Sequence, residues 1–426
     1  MVAAAHPLSI ANFRYYWVGR LSATLAQSAM MLIIGWQVYN IARDGGMSTG
    51  AAAAQLGLIG LIQFVPLFAL TPITGWIADR LDRRHIARAT LFLQILCAAI
   101  LAWATASGTN SLFILFSVAF LLGIARAFSG PALGALAPNL VPREILPKAI
   151  ALSSISWQAG MVAGPGVGGY LYDWHPEASY IGATILFAVS LLCLFLIGPV
   201  PRPAVEKNRH PIRQMIDGLS YVRTNRLVLA TITLDLFAVL LAGATALLPV
   251  YARDILHVGP EGLAQLGAAP ALGATLTAVF FSFRPLRTNV GAKMLGAVLV
   301  FGVATIVFGL STWMPLSLAA LFVVGSADMF SVFVRQSLIQ LHTPDAMRGR
   351  VGAVSQLTIS ASNELGDAES GFLAALVGPV AAVVAGGVGA IAITLFWSRL
   401  FPELRLARSF DPPNIDHDTK AKETPA

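Results

Sequence analysis

The strongest constraint on this sequence is a series of about twelve apolar runs, each close to the length of a helix that crosses a bilayer. An α-helix needs roughly 20 apolar residues to cross about 30 Å of hydrocarbon. Only 12% of the residues are charged, whereas soluble domains contain about 25%. We therefore predict an all-α integral membrane protein with twelve spans. They cover residues 15–39, 52–78, 86–106, 111–136, 148–171, 179–199, 227–250, 262–283, 293–312, 315–340, 351–376 and 380–401.

Basic residues predict the orientation of these spans, because Lys and Arg accumulate in cytoplasmic loops. With a cytoplasmic N-terminus, all but four of the 28 Lys and Arg lie in or beside cytoplasmic segments. Arg43 and Arg253 lie on the other side, and Arg126 and Arg335 lie within spans. We expect both termini to be cytoplasmic. The first span has no convincing cleavage site after it, so we interpret it as a retained helix.

The polar segments divide the chain into two halves. The longest interruption, 201–226, carries six basic residues near the middle of the sequence. The C-terminal tail is polar and has too little apolar surface to fold alone. The predicted units are an N-terminal six-helix bundle (1–200), a cytoplasmic central linker (201–226), a C-terminal six-helix bundle (227–410) and a flexible cytoplasmic tail (411–426).

Short repeats relate the two halves. Ala-Arg-Asp at 42–44 recurs at 252–254, and Ala-Gln-Leu-Gly at 54–57 recurs at 264–267, both at an offset of 210 residues. Further matches, including Gly123 with Gly325, share an offset of 202 residues. The common order and spacing indicate duplication. Two repeated bundles are typical of transporters that rock about a site between the halves.

The segment after the second span has the pattern of a gating loop. Its glycine can let helices approach closely, and its carboxylate can hold and release a facing group. The residues are Gly75, Asp79, Arg80, Arg83 and Arg84. This segment resembles the loop 2/3 signature of the major facilitator superfamily, although Asp82 stands where that family usually has glycine. A plain basic loop is the alternative interpretation.

A glycine pattern in the fifth span adds a second resemblance. Glycines at this spacing permit close helix packing, and a proline within the helix removes a backbone donor and bends it. The residues are Gly160, Gly164, Pro165, Gly168 and Gly169. They resemble the GxxxGPxxGG signature of superfamily exporters that exchange substrate for protons. Helix packing without directional meaning is the alternative.

Arg126 lies within the fourth span and resembles the arginine of the family's fourth-helix signature, with Ser129 in place of glutamine. An arginine at this depth costs at least about 2.5 kcal/mol to insert, so it must face a partner or a cavity. The repeat offset places Asp328 at the equivalent position of the second half. We therefore expect Arg126 and Asp328 to oppose each other. A static ion pair without a transport role is the alternative.

Carboxylates within the spans are candidates for carrying protons, because burial favours the protonated form. We rank Asp235 and Asp328 first, then Asp367 and Glu364, since the first, fourth, seventh and tenth helices of the resembled family surround its cavity. In the eleventh span, Asp367 shares one helical face with other polar residues, which we expect to line water. Neutral, purely structural carboxyl groups are the alternative.

Amide and aromatic side chains within the spans are candidates for the substrate cavity, although most such aromatics serve packing. The candidates are Gln27, Trp36, Gln63, Trp157, Gln158, Gln356 and Asn363.

The resemblance to the superfamily covers 13–408. Within it, the segments 130–132, 140–144 and 343–351 resemble the drug and metabolite efflux branch that includes enterobactin exporters. That resemblance implies export of a siderophore, drug or related metabolite across a bacterial cytoplasmic membrane, in exchange for protons. An uptake symporter or a lysophospholipid flippase of the same fold remains open, as does a membrane enzyme or sensor. We expect no enzymatic activity, cofactor, metal or nucleic-acid partner, because the sequence has no P-loop and no metal-ligand cluster. We expect a monomer in the lipid bilayer, and leave open whether an outer-membrane channel is a partner.

Overall fold

The computed structural model describes residues 6–134, 136, 139–198, 211–284, 286 and 288–410. The described residues of the first half form six long helices. They are α1 (Ala11–Asp44), α2 (Thr49–Arg80), α3 (Arg83–Ala106), α4 (Leu112–Gly134), α5 (Leu146–Trp174) and α6 (Pro176–Leu196).

The second half begins with a short helix inside the predicted linker. This helix is α7 (Pro211–Thr224), and it is followed by α8 (Arg226–Leu241), α9 (Leu248–Val250), α10 (Gly259–Phe283), α11 (Val290–Leu310), α12 (Met314–Leu341), α13 (Asp345–Val377), α14 (Pro379–Leu400) and α15 (Pro402–Arg405). The seventh span runs from α8 through α9 and ends in a π-helical turn, Tyr251–Ile255. The described residues contain no β-strand.

The helices agree with the predicted spans. Ten of the described helical segments are long and apolar enough to cross a membrane. The remaining two long helices are α5 and α13, with 29 and 33 residues. They fall outside that set because they are more polar, and α13 carries several carboxylates. The described part of the chain therefore contains all twelve helices of the predicted architecture.

Local signals in the sequence begin several helices. Ser48 accepts a hydrogen bond from the backbone N–H of Ala51 at the start of α2, and Asn225 does the same for α8. Such side chains satisfy donors that the first helical turn leaves without partners. Prolines in the first turn of α6 and α14 have no N–H to satisfy.

Two interfaces between the halves involve close helix packing. In the first, α2 packs on α13, and a Cβ on Gly57 would lie 2.8 Å from the carbonyl oxygen of Ala368. In the second, α5 packs on α10, where a Cβ on Gly169 would overlap Ala264. Small residues at these contacts let the backbones approach closely, as in other membrane helix pairs.

The two ends of the bundle differ. We call the end with the α1–α2 loop the distal end and the end with α7 the linker end. The α2–α13 contact extends to the distal end, where Gly50 lies against the backbone of Ala375. Toward the linker end, Gly130, Gly349 and Gly352 face open space instead. The halves are therefore in close contact at the distal end, whereas these three glycines near the linker end contact no neighbouring helix among the described residues.

Candidate functional site

An ion pair joins the two halves near the middle of their helices. The Arg126 Nη1 on α4 lies 2.5 Å from Glu364 Oε1 on α13. The same nitrogen donates to Gln63 Oε1 on α2 at 2.9 Å. Glu364 is only 4% exposed, whereas the Arg126 side chain is 27% exposed. The guanidinium therefore neutralises a buried carboxylate and still contacts open space.

Close backbone packing places these three side chains together. Gly123, one turn before Arg126, lies against Gln63, and a Cβ there would be 2.9 Å from the Gln63 carbonyl oxygen. A Cβ on Gly60 would be 2.7 Å from the carbonyl oxygen of Glu364. Larger residues at either glycine would separate the helices. The glycines therefore position the ion pair between the halves.

Further polar groups surround this ion pair. Asp367 lies one turn after Glu364, and its Cβ is 3.0 Å from a Cβ position on Gly60. On the other side of Arg126, a small cavity is lined by Gln27, Gln94 and apolar residues. The site thus combines one guanidinium, two carboxylates and several amides. Such a set can exchange protons and form hydrogen bonds with a polar ligand.

A second charge cluster lies inside the second half. Asp235 on α8 forms an ion pair with Arg335 on α12, and the two residues are 6% and 2% exposed. Asp328, also on α12, lines a small cavity together with Asp235 and Ser331. Among the described residues, Asp328 makes no hydrogen bond or ion pair. Its carboxylate therefore has no local counter-charge of its own.

The expected opposition of Arg126 and Asp328 is wrong. Arg126 pairs with Glu364, and Asp328 lies in the cavity beside Asp235. The repeat offset identifies equivalent positions in the two bundles, but equivalent positions need not be in contact. Arg126 on α4 meets α13, whereas Asp328 on α12 lies beside α8. Arg335 has no role among the predictions from the sequence. Its presence within an apolar span was the signal that a buried counter-charge had to be near.

The remaining cavity candidates differ in environment. Gln63 is buried at the ion pair, and Trp36 is buried in a hydrophobic cluster that includes residues of both halves. Gln27 and Gln158 are half-buried, while Trp157, Gln356 and Asn363 are exposed. Along the polar face predicted for α13, Gln356 and Asn363 are therefore exposed, whereas Asp367 lies against α2.

The glycine pattern of α5 forms a contact surface for α1. A Cβ would lie 2.7 Å from Thr24 Cβ at Gly160, and 2.9 Å from Ala29 Cβ at Gly168. Gly164 lies between them, opposite Ser28. The Ser28 hydroxyl also donates to the Gly160 carbonyl at 2.9 Å. Gly169 and Pro165 face α10 instead, so α5 packs on both halves through one motif.

Comparison with known proteins decides the family. The profile of the Major Facilitator Superfamily matches residues 16–366. The chain belongs to the Major Facilitator Superfamily. Curated relatives named enterobactin exporter EntS include one from Escherichia coli O1:K1, 27% identical over 379 residues, which cover 86% of this chain and 87% of the relative. The relative of that name from Citrobacter koseri is 26% identical over 379 residues, which again cover 86% of this chain and 87% of the relative.

Solved superfamily structures share the fold. A POT family transporter in complex with 5-aminolevulinic acid superposes with a TM-score of 0.71 at 15% identity, covering 92% of this chain and 96% of that one. A bacterial homologue of the human lysosomal transporter Spinster gives 0.65 at 17% identity, covering 93% and 97%. Membership of this superfamily makes the chain a multi-pass transporter of the bacterial inner membrane and not an enzyme.

The superfamily's loop 2/3 signature is described only in part. The side chains of Asp79 and Arg80 and the surroundings of Gly75 lie outside what the structure describes. Asp82 accepts a hydrogen bond from the Arg84 backbone N–H at 2.9 Å and so caps α3. Hydrogen bonding and the adjacent Arg84 guanidinium lower the pKa of Asp82 to about 2. Arg84 also donates to the Gly198 carbonyl at 2.7 Å, which ties the loop to the end of α6.

Proposed function

We propose that the protein exports a small organic molecule, such as a siderophore, a drug or a related metabolite, across the cytoplasmic membrane in exchange for protons. Its curated relatives are named as exporters. The observation that carries the coupling proposal is the Arg126–Glu364 ion pair between the halves. Alternating access changes how the halves contact each other. An ion pair across that boundary must respond to the change.

Protonation of Glu364 gives this ion pair two states. With the carboxylate ionised, Arg126 is attracted to α13 and holds the two halves together. A proton on Glu364 removes that attraction, because the neutral acid no longer balances the guanidinium. The preferred packing of the halves then shifts, as any ligand shifts an equilibrium toward the state it binds better. Asp367, one turn away, is the second candidate in this site.

Asp235 and Asp328 remain candidates, but their geometry suits a different role. The Asp235–Arg335 pair joins α8 to α12 within one half. A rigid rotation of that half leaves the distance between its own helices unchanged. The pair therefore supports the architecture of the second half directly, and we rank Glu364 ahead of it for coupling.

We also propose the predicted orientation, with both termini in the cytoplasm. The linker end is then cytoplasmic, and a bundle closed at the distal end is open to the cytoplasm. Arg126 and Gln27 are accessible to a substrate from that side in this arrangement. A single chain contains both halves and the whole charge cluster, so we propose that the monomer transports. The loop 2/3 signature would then act at the cytoplasmic closure.

The test is proton flux in everted membrane vesicles with an acid interior. Candidate siderophores, drugs and lysolipids are added outside while a pH-sensitive dye reports the gradient. We expect one class of compound to release protons from vesicles that contain the protein, and not from vesicles that lack it. Substrate movement without proton release, or accumulation in the opposite direction, would refute exchange and favour an uptake symporter or a flippase.

A further inference from the structure

The repeated Ala-Arg-Asp segments meet at the distal end. The first copy ends α1 at Asp44, and the second copy lies in the π-helical turn that ends the seventh span. Arg43 of the first copy donates to Asp254 of the second at 3.0 Å. Arg253 of the second copy donates to Asp44 of the first at 2.6 Å. Each copy thus gives its arginine to the aspartate of the other.

Neighbouring groups reinforce both ion pairs. The Tyr39 hydroxyl, one turn before Arg43, donates to the same Asp254 oxygen. Arg253 donates to the side chain of Asn40. Arg43 also donates to the Met47 carbonyl at 2.7 Å, which fixes its position at the α1–α2 loop. Charge-assisted hydrogen bonds of this kind are roughly twice as strong as neutral ones.

The two exchanged pairs are not equivalent. The Asp254 side chain is 20% exposed and accepts from two first-half donors, Tyr39 and Arg43. The Asp44 side chain is 69% exposed and accepts from Arg253. Solvent screens exposed pairs and leaves them little net energy. The pair on Asp254 therefore contributes more to the contact between the halves.

We propose that these exchanged pairs form a lock that sets the balance between the distal-closed and distal-open states of the transporter. The lock consists of Tyr39, Arg43, Asp44, Arg253 and Asp254. The lock joins α1 to the seventh span. The glycine contacts described above join other helix pairs, α2 to α13 and α5 to α10. Opening the distal end must break both exchanged pairs, because each joins one half to the other. The duplicated sequence supplies both partners.

Accessibility of a distal residue tests the lock without added substrate and without an imposed proton gradient. Leu56 on α2 is 4% exposed and lies within the closed region. We would replace it by cysteine and measure its rate of reaction with a membrane-impermeant maleimide added to whole cells. The native Cys97 and Cys193 are buried. We expect Asp254→Asn to raise the rate about tenfold, as a modest population shift would, and Asp44→Asn to raise it less.

Three further variants make the outcome decisive. Asp173→Asn removes an exposed carboxylate at the distal end of α5 and should leave the rate unchanged. Arg43→Gln combined with Asp254→Asn should not exceed Asp254→Asn alone, because that single variant has already lost the Arg43–Asp254 interaction. Tyr39→Phe deletes only a hydroxyl and should give an intermediate rate, which protects the test if Asp254→Asn folds poorly. Rates equal to the parent in Asp254→Asn or Tyr39→Phe would overturn the proposal. Because distal opening does not require export, failure of the export assay would leave this result intact.

Discussion

Buried charge in this transporter is paired by contacts that the sequence identifies only in part. The charged residues themselves are visible, because Arg126, Arg335 and Glu364 interrupt apolar spans. Their partners are not, since helix rotation and packing determine which side chains meet. The repeat offset favoured Asp328 as the partner of Arg126, and the structure has Glu364 instead. The sequence predicted which buried residues are charged, but only the structure identified which of them form ion pairs.

The Asp235–Arg335 pair allows a test of stability. Arg335→Leu leaves Asp235 buried without its counter-charge, and removal of one partner of a buried pair costs about 3–5 kcal/mol. We expect a clearly lower apparent melting temperature in detergent. Combining Arg335→Leu with Asp235→Asn removes both charges and should recover most of the loss.

Arg399→Leu, at an exposed position of α14, is the control for this pair. Surface changes of that kind usually alter stability by no more than about 0.5 kcal/mol. An Arg335→Leu variant as stable as the control would show that the pair does not stabilise the second half.

Asp82 gives a pH-dependent prediction. Its pKa of about 2 lies below the ordinary value of 3.8, so its stabilising effect is complete above pH 4 and is lost as the pH falls toward 2. Asp82→Ala removes both the cap and the ion pair, and loss of a cap alone costs about 1 kcal/mol. Thermal unfolding should show the variant less stable than the parent at pH 7, with the difference shrinking below pH 4. A difference that does not depend on pH would contradict the ionic contribution.

At the scale of elements, apolar length predicted the helices well, and their interruptions poorly. The predicted linker contains α7, whose buried Val222 packs in a cluster with Val351 and Val354. The π-helical turn at Tyr251–Ile255 also escaped prediction. Both features depend on contacts with other elements, whereas the long spans depend on the bilayer. The length of an apolar run indicates whether a segment crosses the bilayer, and it carries no information about contacts with other elements.

The α1–α5 contact gives a prediction at this scale. A methyl group at Gly164 would overlap Ser28 and lie 2.8 Å from the Leu25 carbonyl oxygen. The backbones must then separate, so Gly164→Ala should reduce both folded yield and transport severalfold, as overpacking costs about 1–3 kcal/mol.

Gly166→Ala is the matched control, because no atom lies within 4 Å of a Cβ at Gly166. Size-exclusion profiles should show less folded protein for Gly164→Ala than for Gly166→Ala, and the transport rate should be lower as well. Equal behaviour would mean that α1 and α5 are not packed as described.

At the scale of the whole molecule, the halves are closed at the distal end and joined at mid-depth by Arg126 and Glu364. The fold class was predictable because twelve apolar runs and a duplicated pattern leave few alternatives in a membrane. Which end of the bundle is closed was not predictable, because the sequence is the same in every state of the transport cycle. The account therefore depends most on the role of the ion pair between the halves.

Transport by Glu364→Gln in reconstituted liposomes tests that role most directly, with the compound that releases protons in the vesicle assay as the labelled substrate. The amide mimics the protonated carboxyl and cannot release a proton. We expect the variant to lose pH-gradient-driven transport while it still exchanges labelled for unlabelled substrate across the membrane. Gradient-driven transport at the parental rate would contradict the account, and so would loss of exchange in a correctly folded variant.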